Sequence, residues 1–147
     1  MISRREHPKE RRRDVKLIVT LDDRDGMMFN CRRQSRDRVL NERILALCDG
    51  KLTVNAYTAQ LFADTDANLT VDENPLGIAK ADDWCFVENL PIAPYEEKIE
   101  KLVVFRWNRV YPNDRRFDLK LEAWRLVSQS EFAGYSHEKI TEEVYFR

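Results

Sequence analysis

The sequence predicts an α/β fold with a twisted, mostly parallel sheet and an antiparallel edge at its C-terminal end. Two observations lead to this fold class. Helical segments alternate with apolar, β-branched runs through the first two-thirds of the chain, which is typical of right-handed βαβ crossovers. After Trp107 the helical pattern disappears, and two strand-like runs follow at Trp124–Ser128 and Ile140–Phe146.

The first strand is predicted at Val15–Leu21, a β-branched run that a cluster of aspartates and Gly26 ends as a turn. The first helix is predicted from Ser35 as N-cap through Leu47, with Asp37 in its first turn, where a negative charge suits the helix dipole. The apolar residues of this helix recur at the spacing of one face: Leu40, Ile44 and Leu47. Gly50 can supply the left-handed residue that ends it.

Short apolar runs and turn residues predict the remaining elements. Strands are predicted at Leu52–Val54, Leu69–Val71, Trp84–Val87 and Leu102–Trp107, and helices at Tyr57–Phe62 and Pro91–Ile99. The 84–87 run is uniformly apolar, as expected for a parallel strand buried on both faces. Proline near the start of the 91–99 segment suits a first helical turn.

The length and composition predict one folded domain. The chain has 147 residues, 43% of them hydrophobic, so we expect a single domain at 15–147 with a real core. Residues 1–14 are almost wholly polar, and we expect a basic tail that lies outside the fold. No apolar stretch indicates a signal peptide or a membrane span, which predicts a cytoplasmic protein.

The cysteines and histidines do not form a metal-binding pattern. Cys31, Cys48 and Cys85 have no Cys-x-x-Cys spacing, and the chain has only two histidines, His7 and His137. We therefore predict reduced structural thiols and no metal site. His137 lies beside acids and is a candidate base, but no serine or cysteine nucleophile motif accompanies it, so a turn before the last strand is the alternative.

Charge is distributed unevenly along the chain. Residues 1–56 carry 14 basic and 9 acidic side chains, whereas residues 57–100 carry 2 basic and 10 acidic ones. The densest basic patch is a candidate surface for anions or nucleic acid, and its members are Arg32, Arg33, Arg36 and Arg43. Only Phe29 lies nearby for base stacking, so ordinary solvated arginines are the alternative.

The order of elements resembles dihydrofolate reductase: a strand, a loop at 26–37, a helix, strand–helix alternation and a closing pair of strands. The C-terminal third carries much of this likeness, from the strand before Trp107 through Trp124–Ser128 to Glu143–Tyr145. The resemblance implies a dihydrofolate-reductase-like, three-layer fold and an NADPH-dependent reduction. It also implies that Asp37 is the proton-handling acid, for which a helix N-terminal acid is the alternative.

The family's cofactor motifs are not intact here. Asn55–Thr58 stands where the family carries Gly-Arg-x-Thr, and only the Thr survives. Glu88 lies where the family carries a Gly-Gly pair that approaches the cofactor pyrophosphate, and Phe105 replaces a polar Thr. Because phosphate binding needs close backbone approach and a cation, we expect no cofactor, with NADPH as the alternative.

Three functions follow from the sequence. The first is a diverged, non-catalytic protein that binds a small molecule or a protein partner at the ancestral cleft, next to Asp37. The expected lining of that cleft is Met28, Phe29, Thr58, Phe105 and Trp107. The second is a reductase with an atypical NADPH site and Asp37 as proton donor. The third is a nucleic-acid-associated protein that uses the arginine patch at 32–43.

Overall fold

The computed structural model describes residues 15–147, so the predicted basic tail at 1–14 lies outside the described residues. The strands are β1 Val15–Leu21, β2 Gly26–Phe29, β3 Arg32–Arg33, β4 Lys51–Val54, β5 Asn68–Val71, β6 Trp84–Phe86, β7 Ile99–Arg106, β8 Arg115–Arg116, β9 Arg125–Phe132 and β10 Ile140–Phe146. The α-helices are α1 Arg38–Leu47, α2 Ala56–Ala59 and α3 Pro75–Ile78, and 3₁₀ turns occupy Gln60–Phe62, Ala93–Lys98 and Leu121–Ala123. None of the helices in this part of the chain has the length and hydrophobicity to cross a bilayer.

A seven-stranded sheet organises the molecule, in the order β5-β4-β6-β1-β7-β10-β9. The first five strands in this order are parallel to one another, and β10 and β9 close the sheet as an antiparallel edge. The predicted fold class, a mostly parallel sheet with an antiparallel C-terminal edge, is therefore confirmed. A second, three-stranded sheet has the order β3-β2-β8.

The two central strands β1 and β7 are buried because the chain covers both faces of the sheet. Leu17 pairs with Leu102 and Val19 with Val104 on one face, where they join a core that includes Met28. Side chains alternate between the faces of a strand, so the intervening residues of both strands enter a second core. That second core holds Ile18, Val103 and Phe105 of the strands and Leu40 and Ile44 of α1.

Helix α1 begins two residues later than predicted. Its N-cap is Asp37, whose backbone is extended and whose carboxylate accepts the first amides of the helix, so the prediction of Ser35 as N-cap is wrong. An aspartate caps a helix as well as a serine does, and the sequence offered both. The helix ends at Leu47 as predicted, and two left-handed residues follow its cap, Asp49 with a φ of 55° and Gly50 with a φ of 78°.

Two further segments differ from prediction. The 91–99 segment is a 3₁₀ turn at Ala93–Lys98 rather than an α-helix. The 26–37 loop contains the short strands β2 and β3, which pair with each other, and β2 also pairs with β8. Strands of two to four residues carry no measurable periodicity, which explains why the sequence did not indicate the small sheet.

The packing of α1 makes a stability prediction. Leu40 is 1% exposed in the second core, whereas Leu126 on the edge strand β9 is 48% exposed. Leu40→Ala should lower the free energy of unfolding by about 2–5 kcal/mol through a lost contact and a cavity, and Leu126→Ala by less than about 1 kcal/mol. Urea denaturation measures both, and equal losses would contradict the assigned burial of α1.

Candidate functional site

The carboxylate of Asp37 is buried at the start of α1. Its Oδ1 accepts hydrogen bonds from the backbone N–H groups of Val39 at 3.0 Å and Leu40 at 3.2 Å. These are two of the amides that a helix N-terminus leaves without an internal partner. The helix-capping alternative for Asp37 therefore describes one of its roles in the structure.

A second set of donors reaches Asp37 from the 133–137 loop, which connects β9 to β10. The N–H groups of Tyr135 and Ser136 both donate to the carboxylate at 2.9 Å, and the Ser136 hydroxyl adds a contact of 3.2 Å. The loop lies so close that a Cβ on Gly134 would stand 2.7 Å from Asp37 Oδ2. The loop thus covers the acid, and it needs glycine to do so.

These donors keep Asp37 ionised. Burial raises the pKa of the carboxyl group, but the hydrogen bonds from Tyr135, His137, Ser136 and Leu40 outweigh it and hold the pKa well below its ordinary value. A carboxyl group in this state accepts hydrogen bonds readily and carries no proton to donate near neutral pH. Its environment therefore favours an anchoring role over proton donation.

His137 continues the network away from Asp37. Its Nδ1 lies 2.8 Å from Asp37 Oδ2, and its Nε2 lies 3.0 Å from the Ser35 hydroxyl and 3.3 Å from the Tyr111 hydroxyl. Because the ionised carboxylate only accepts, Nδ1 carries the hydrogen, and in the neutral ring Nε2 is left to accept from a hydroxyl. The Trp107 ring packs on the imidazole, with ring centroids 4.6 Å apart and planes inclined by 31°.

Sequence reasoning missed this network. Ser35 and His137 are 102 residues apart, and Asp37 and His137 are 100 apart. The one available signal was the unusual single histidine of the C-terminal region beside Ser136. The sequence predicted a turn there; that turn exists, and it carries the imidazole back over the start of α1.

A second buried acid lies where β4 and β6 end. Glu88 Oε1 accepts from the Thr58 hydroxyl at 2.8 Å, and both carboxylate oxygens accept from the Arg33 guanidinium, at 2.8 and 2.9 Å. The guanidinium also stacks on the Tyr57 ring, 4.2 Å from its centroid. The hydroxyl and the guanidinium are suitable donors for an anionic ligand, and here the protein's own carboxylate uses them.

This ion pair also decides how much of the predicted arginine patch is free. Arg33 is bound to Glu88, and Arg43 donates to the buried carboxylate of Glu142 at 2.8 Å. Arg32 and Arg36 are exposed. Two of the four guanidinium groups are therefore neutralised by buried acids, which weakens the patch as an attractor of polyanions.

The five residues predicted to line the cleft are not brought together. Met28 belongs to the core on one face of the large sheet, whereas Phe105 and Trp107 belong to the core on the other. Thr58 is fully buried against Glu88, and Phe29 is 45% exposed. Of the predicted site residues, Arg36 and Asp37 line a groove beside α1.

That groove has a volume of about 580 Å³ and runs between the outer face of α1, residues 60–65 and the 133–137 loop. Its lining includes the polar residues Arg36, Arg38, Asn41, Gln60 and Thr65 and the acids Glu42 and Asp64. Arg38 stacks on the ring of Tyr135, 4.2 Å from its centroid. The groove thus offers charges of both signs, polar groups and an aromatic face to a ligand.

A third buried acid, Asp22, supports the loop that carries Tyr111. Its carboxylate accepts the N–H groups of Arg24, Gly26 and Tyr111 and the amide of Gln34. Burial raises the pKa of Asp22, but these donors hold it below its ordinary value. Within residues 15–147, no three His, Cys, Asp or Glu side chains are arranged to hold a metal ion.

The strand order and crossovers define the chain as an α/β protein with a dihydrofolate-reductase-like fold. One similar solved structure is dihydrofolate reductase from Enterococcus faecalis, complexed with NADP(H) and RAB-propyl. The TM-score is 0.59 at 10% identity, and the match covers 90% of this chain and 95% of that one. No protein-family model and no curated protein sequence matches. The resemblance noted in the sequence is thereby confirmed for the fold.

The Asp37 network predicts how stability depends on pH. Because folding lowers the pKa of Asp37, its stabilising contribution is fully present above the unfolded value of about 3.9 and is lost as the pH falls through the lower, folded value. Asp37→Asn should therefore destabilise the protein at pH 7, and its difference from wild type should shrink below about pH 4. Urea denaturation at several pH values measures this difference.

The matched control is Asp49→Asn, since Asp49 is an exposed acid at the other end of the same helix. This variant should stay within about 0.5 kcal/mol of wild type at every pH. A constant difference between wild type and Asp37→Asn from pH 7 to pH 2 would contradict an ionised, hydrogen-bonded Asp37.

Proposed function

We propose that the chain is a diverged dihydrofolate-reductase-like protein that binds a small molecule or a protein partner beside Asp37 and does not catalyse reduction. In this proposal residues 15–147 act as a single domain in the cytoplasm. The observation that carries it is the Glu88 carboxylate, which uses the Thr58 hydroxyl and the Arg33 guanidinium. In this proposal, the donors that would bind a cofactor phosphate are already hydrogen-bonded to a carboxylate of the protein.

The position of Glu88 argues against a bound dinucleotide. Thr58 is the surviving residue of the stretch that resembles the family's phosphate-binding motif, and its hydroxyl is only 2.8 Å from Glu88. A phosphate placed there would meet a carboxylate that is 4% exposed, and two like charges repel strongly where water is excluded. Phosphate binding would require the Glu88 side chain to move away and the Arg33 guanidinium to exchange Glu88 for the phosphate as its acceptor.

The state of Asp37 argues against reductase chemistry of the usual kind. A proton donor must hold its proton near the working pH, whereas the hydrogen bonds to Asp37 lower the pKa of its carboxyl group. The 133–137 loop also occupies the space next to the carboxylate. Gly134 lies so close to Asp37 that a Cβ atom at this position would clash with Oδ2. An NADPH-dependent reductase is thus the less favoured alternative.

The groove beside α1 supports the binding part of the proposal. Its volume of about 580 Å³ lies in the range of small-molecule pockets. Arg36 is exposed, and Asn41 of α1 and Gln60 of the 60–65 segment also line the groove. These groups suit a polar ligand with at least one negative charge or carbonyl oxygen.

The first test is a titration with NADPH, monitored by calorimetry and by intrinsic tryptophan fluorescence. Trp107, which packs on His137, contributes to this fluorescence. Wild type should show no saturable binding up to about 1 mM, a limit that corresponds to about −4 kcal/mol. Glu88→Ala should bind NADPH more tightly than wild type, because the Thr58 and Arg33 donors lose their internal acceptor. Glu97→Ala, which removes an exposed acid, is the matched control and should behave as wild type.

Micromolar NADPH binding by wild type, with reduction of dihydrofolate that Asp37→Asn abolishes, would refute the proposal in favour of the reductase. Unchanged NADPH binding in Glu88→Ala, with its fold intact by circular dichroism, would show that Glu88 does not block the position.

The second test is a fragment screen by ¹H–¹⁵N NMR with a set of small carboxylates and carboxamides. Shift changes should cluster at residues 36–45 and 60–65, which line the groove. Asn41→Trp should fill the groove and abolish these changes, whereas Asn68→Trp, on the edge strand β5, should leave them intact. Shift changes that survive Asn41→Trp would place the binding surface elsewhere.

A further inference from the structure

Three side chains at the start of α1 have the order of contacts that activates a serine. The Ser35 hydroxyl lies 3.0 Å from His137 Nε2, and the opposite ring nitrogen lies 2.8 Å from the carboxylate of Asp37. In hydrolases with this arrangement the imidazole takes the hydroxyl proton, and the carboxylate fixes its tautomer and stabilises the imidazolium. Such a constellation is recognised by its geometry rather than by residue order.

The exposure of the three side chains also agrees with an activated serine. Asp37 and His137 are buried, at 3% and 6% exposure, whereas Ser35 is partly exposed. The carboxylate has five other donors, from Val39, Leu40, Tyr135 and, twice, Ser136, so its orientation is fixed whether or not the imidazole is charged. A rigid acid, a buried base and an accessible hydroxyl are what a nucleophilic site requires.

The aromatic neighbours also favour a charged intermediate. The Trp107 ring lies 4.6 Å from the imidazole, close enough for its π face to stabilise a positive charge on His137. The Tyr111 hydroxyl, 3.3 Å from Nε2, limits how the ring can move. The contact with Trp107 and the hydrogen bond from Nδ1 to Asp37 orient the ring, with Nε2 on the side of Ser35.

A donor for the developing oxyanion is available next to the serine. The backbone N–H of Arg36 has no acceptor within the part of the chain that the structure describes, and Arg36 is exposed. In α/β-hydrolases, the N–H of the residue after the nucleophile serves this purpose.

We propose that Ser35, His137 and Asp37 form a hydrolytic triad that cleaves carboxylic esters with a small acyl group. This activity goes beyond the proposed binding function and does not depend on it. The acyl group is small because Ser35 is only partly exposed and its hydroxyl shares His137 Nε2 with the Tyr111 hydroxyl, which restricts the space beside Oγ.

The reaction has two balanced steps. Ser35 Oγ attacks the ester carbonyl carbon while its proton moves to His137 Nε2, and the ester C–O bond breaks as the alcohol leaves with that proton. Water then attacks the acyl-serine while His137 takes one of its protons. The acid leaves, and the proton returns to Ser35. No oxidant, reductant or metal takes part.

The test uses the full chain with p-nitrophenyl acetate and p-nitrophenyl octanoate. Wild type should release p-nitrophenol from the acetate with an initial burst and with a clear preference over the octanoate. Ser35→Ala should lower kcat/KM for the acetate by at least about 100-fold. Ser128→Ala is the matched control, since Ser128 is an exposed serine of β9, and should keep wild-type kcat/KM.

A second measurement keeps the test independent of the variant's folding. Phenylmethylsulfonyl fluoride should modify wild type at Ser35, as peptide mass spectrometry would locate, and should abolish turnover in proportion to labelling. Equal turnover by wild type and folded Ser35→Ala, or modification at other residues with Ser35 unlabelled, would overturn the triad. In that case the network would be only a structural tie between α1 and the 133–137 loop.

Discussion

The buried carboxylate of Asp37 is the interaction on which the arrangement at the end of the sheet depends. Burying an unpaired carboxylate is costly, so the chain must bring donors to it. Two of these donors are helix amides of α1, and the other four belong to the 133–137 loop, about a hundred residues later. The start of α1, the loop between β9 and β10 and the imidazole of His137 are therefore positioned together by one acid.

The buried carboxylate of Glu88 follows the same principle at the ends of β4 and β6. A carboxylate there is tolerable only because Arg33 reaches it from β3 and Thr58 from α2. The small sheet of β2, β3 and β8 positions the backbone of Arg33 so that its guanidinium reaches Glu88. At both places the donors that the fold brings together are used by the protein's own acids.

The sequence was sufficient for the framework because the framework depends on local patterns. The β-branched run of β1 and the i, i+4 spacing of Leu40 and Ile44 identify buried faces without any knowledge of partners. The small sheet escaped prediction because Arg32–Arg33 reads as a basic patch and not as a strand. The predicted start of α1 is two residues too early because serine and aspartate are equally good N-caps. Only the tertiary contacts of Asp37 distinguish it from Ser35.

The contacts around Asp37 join residues that are distant in sequence, and each residue alone has an ordinary explanation. Asp37 suits a helix start, Ser35 a cap and His137 a turn, so no single position predicts the chain of contacts that joins them. The tertiary fold changes this, because Ser35 is released from capping when Asp37 takes that role. The Ser35 hydroxyl is then available to His137 Nε2. The later start of α1 and the contact between Ser35 and His137 therefore both follow from the use of Asp37 as the N-cap.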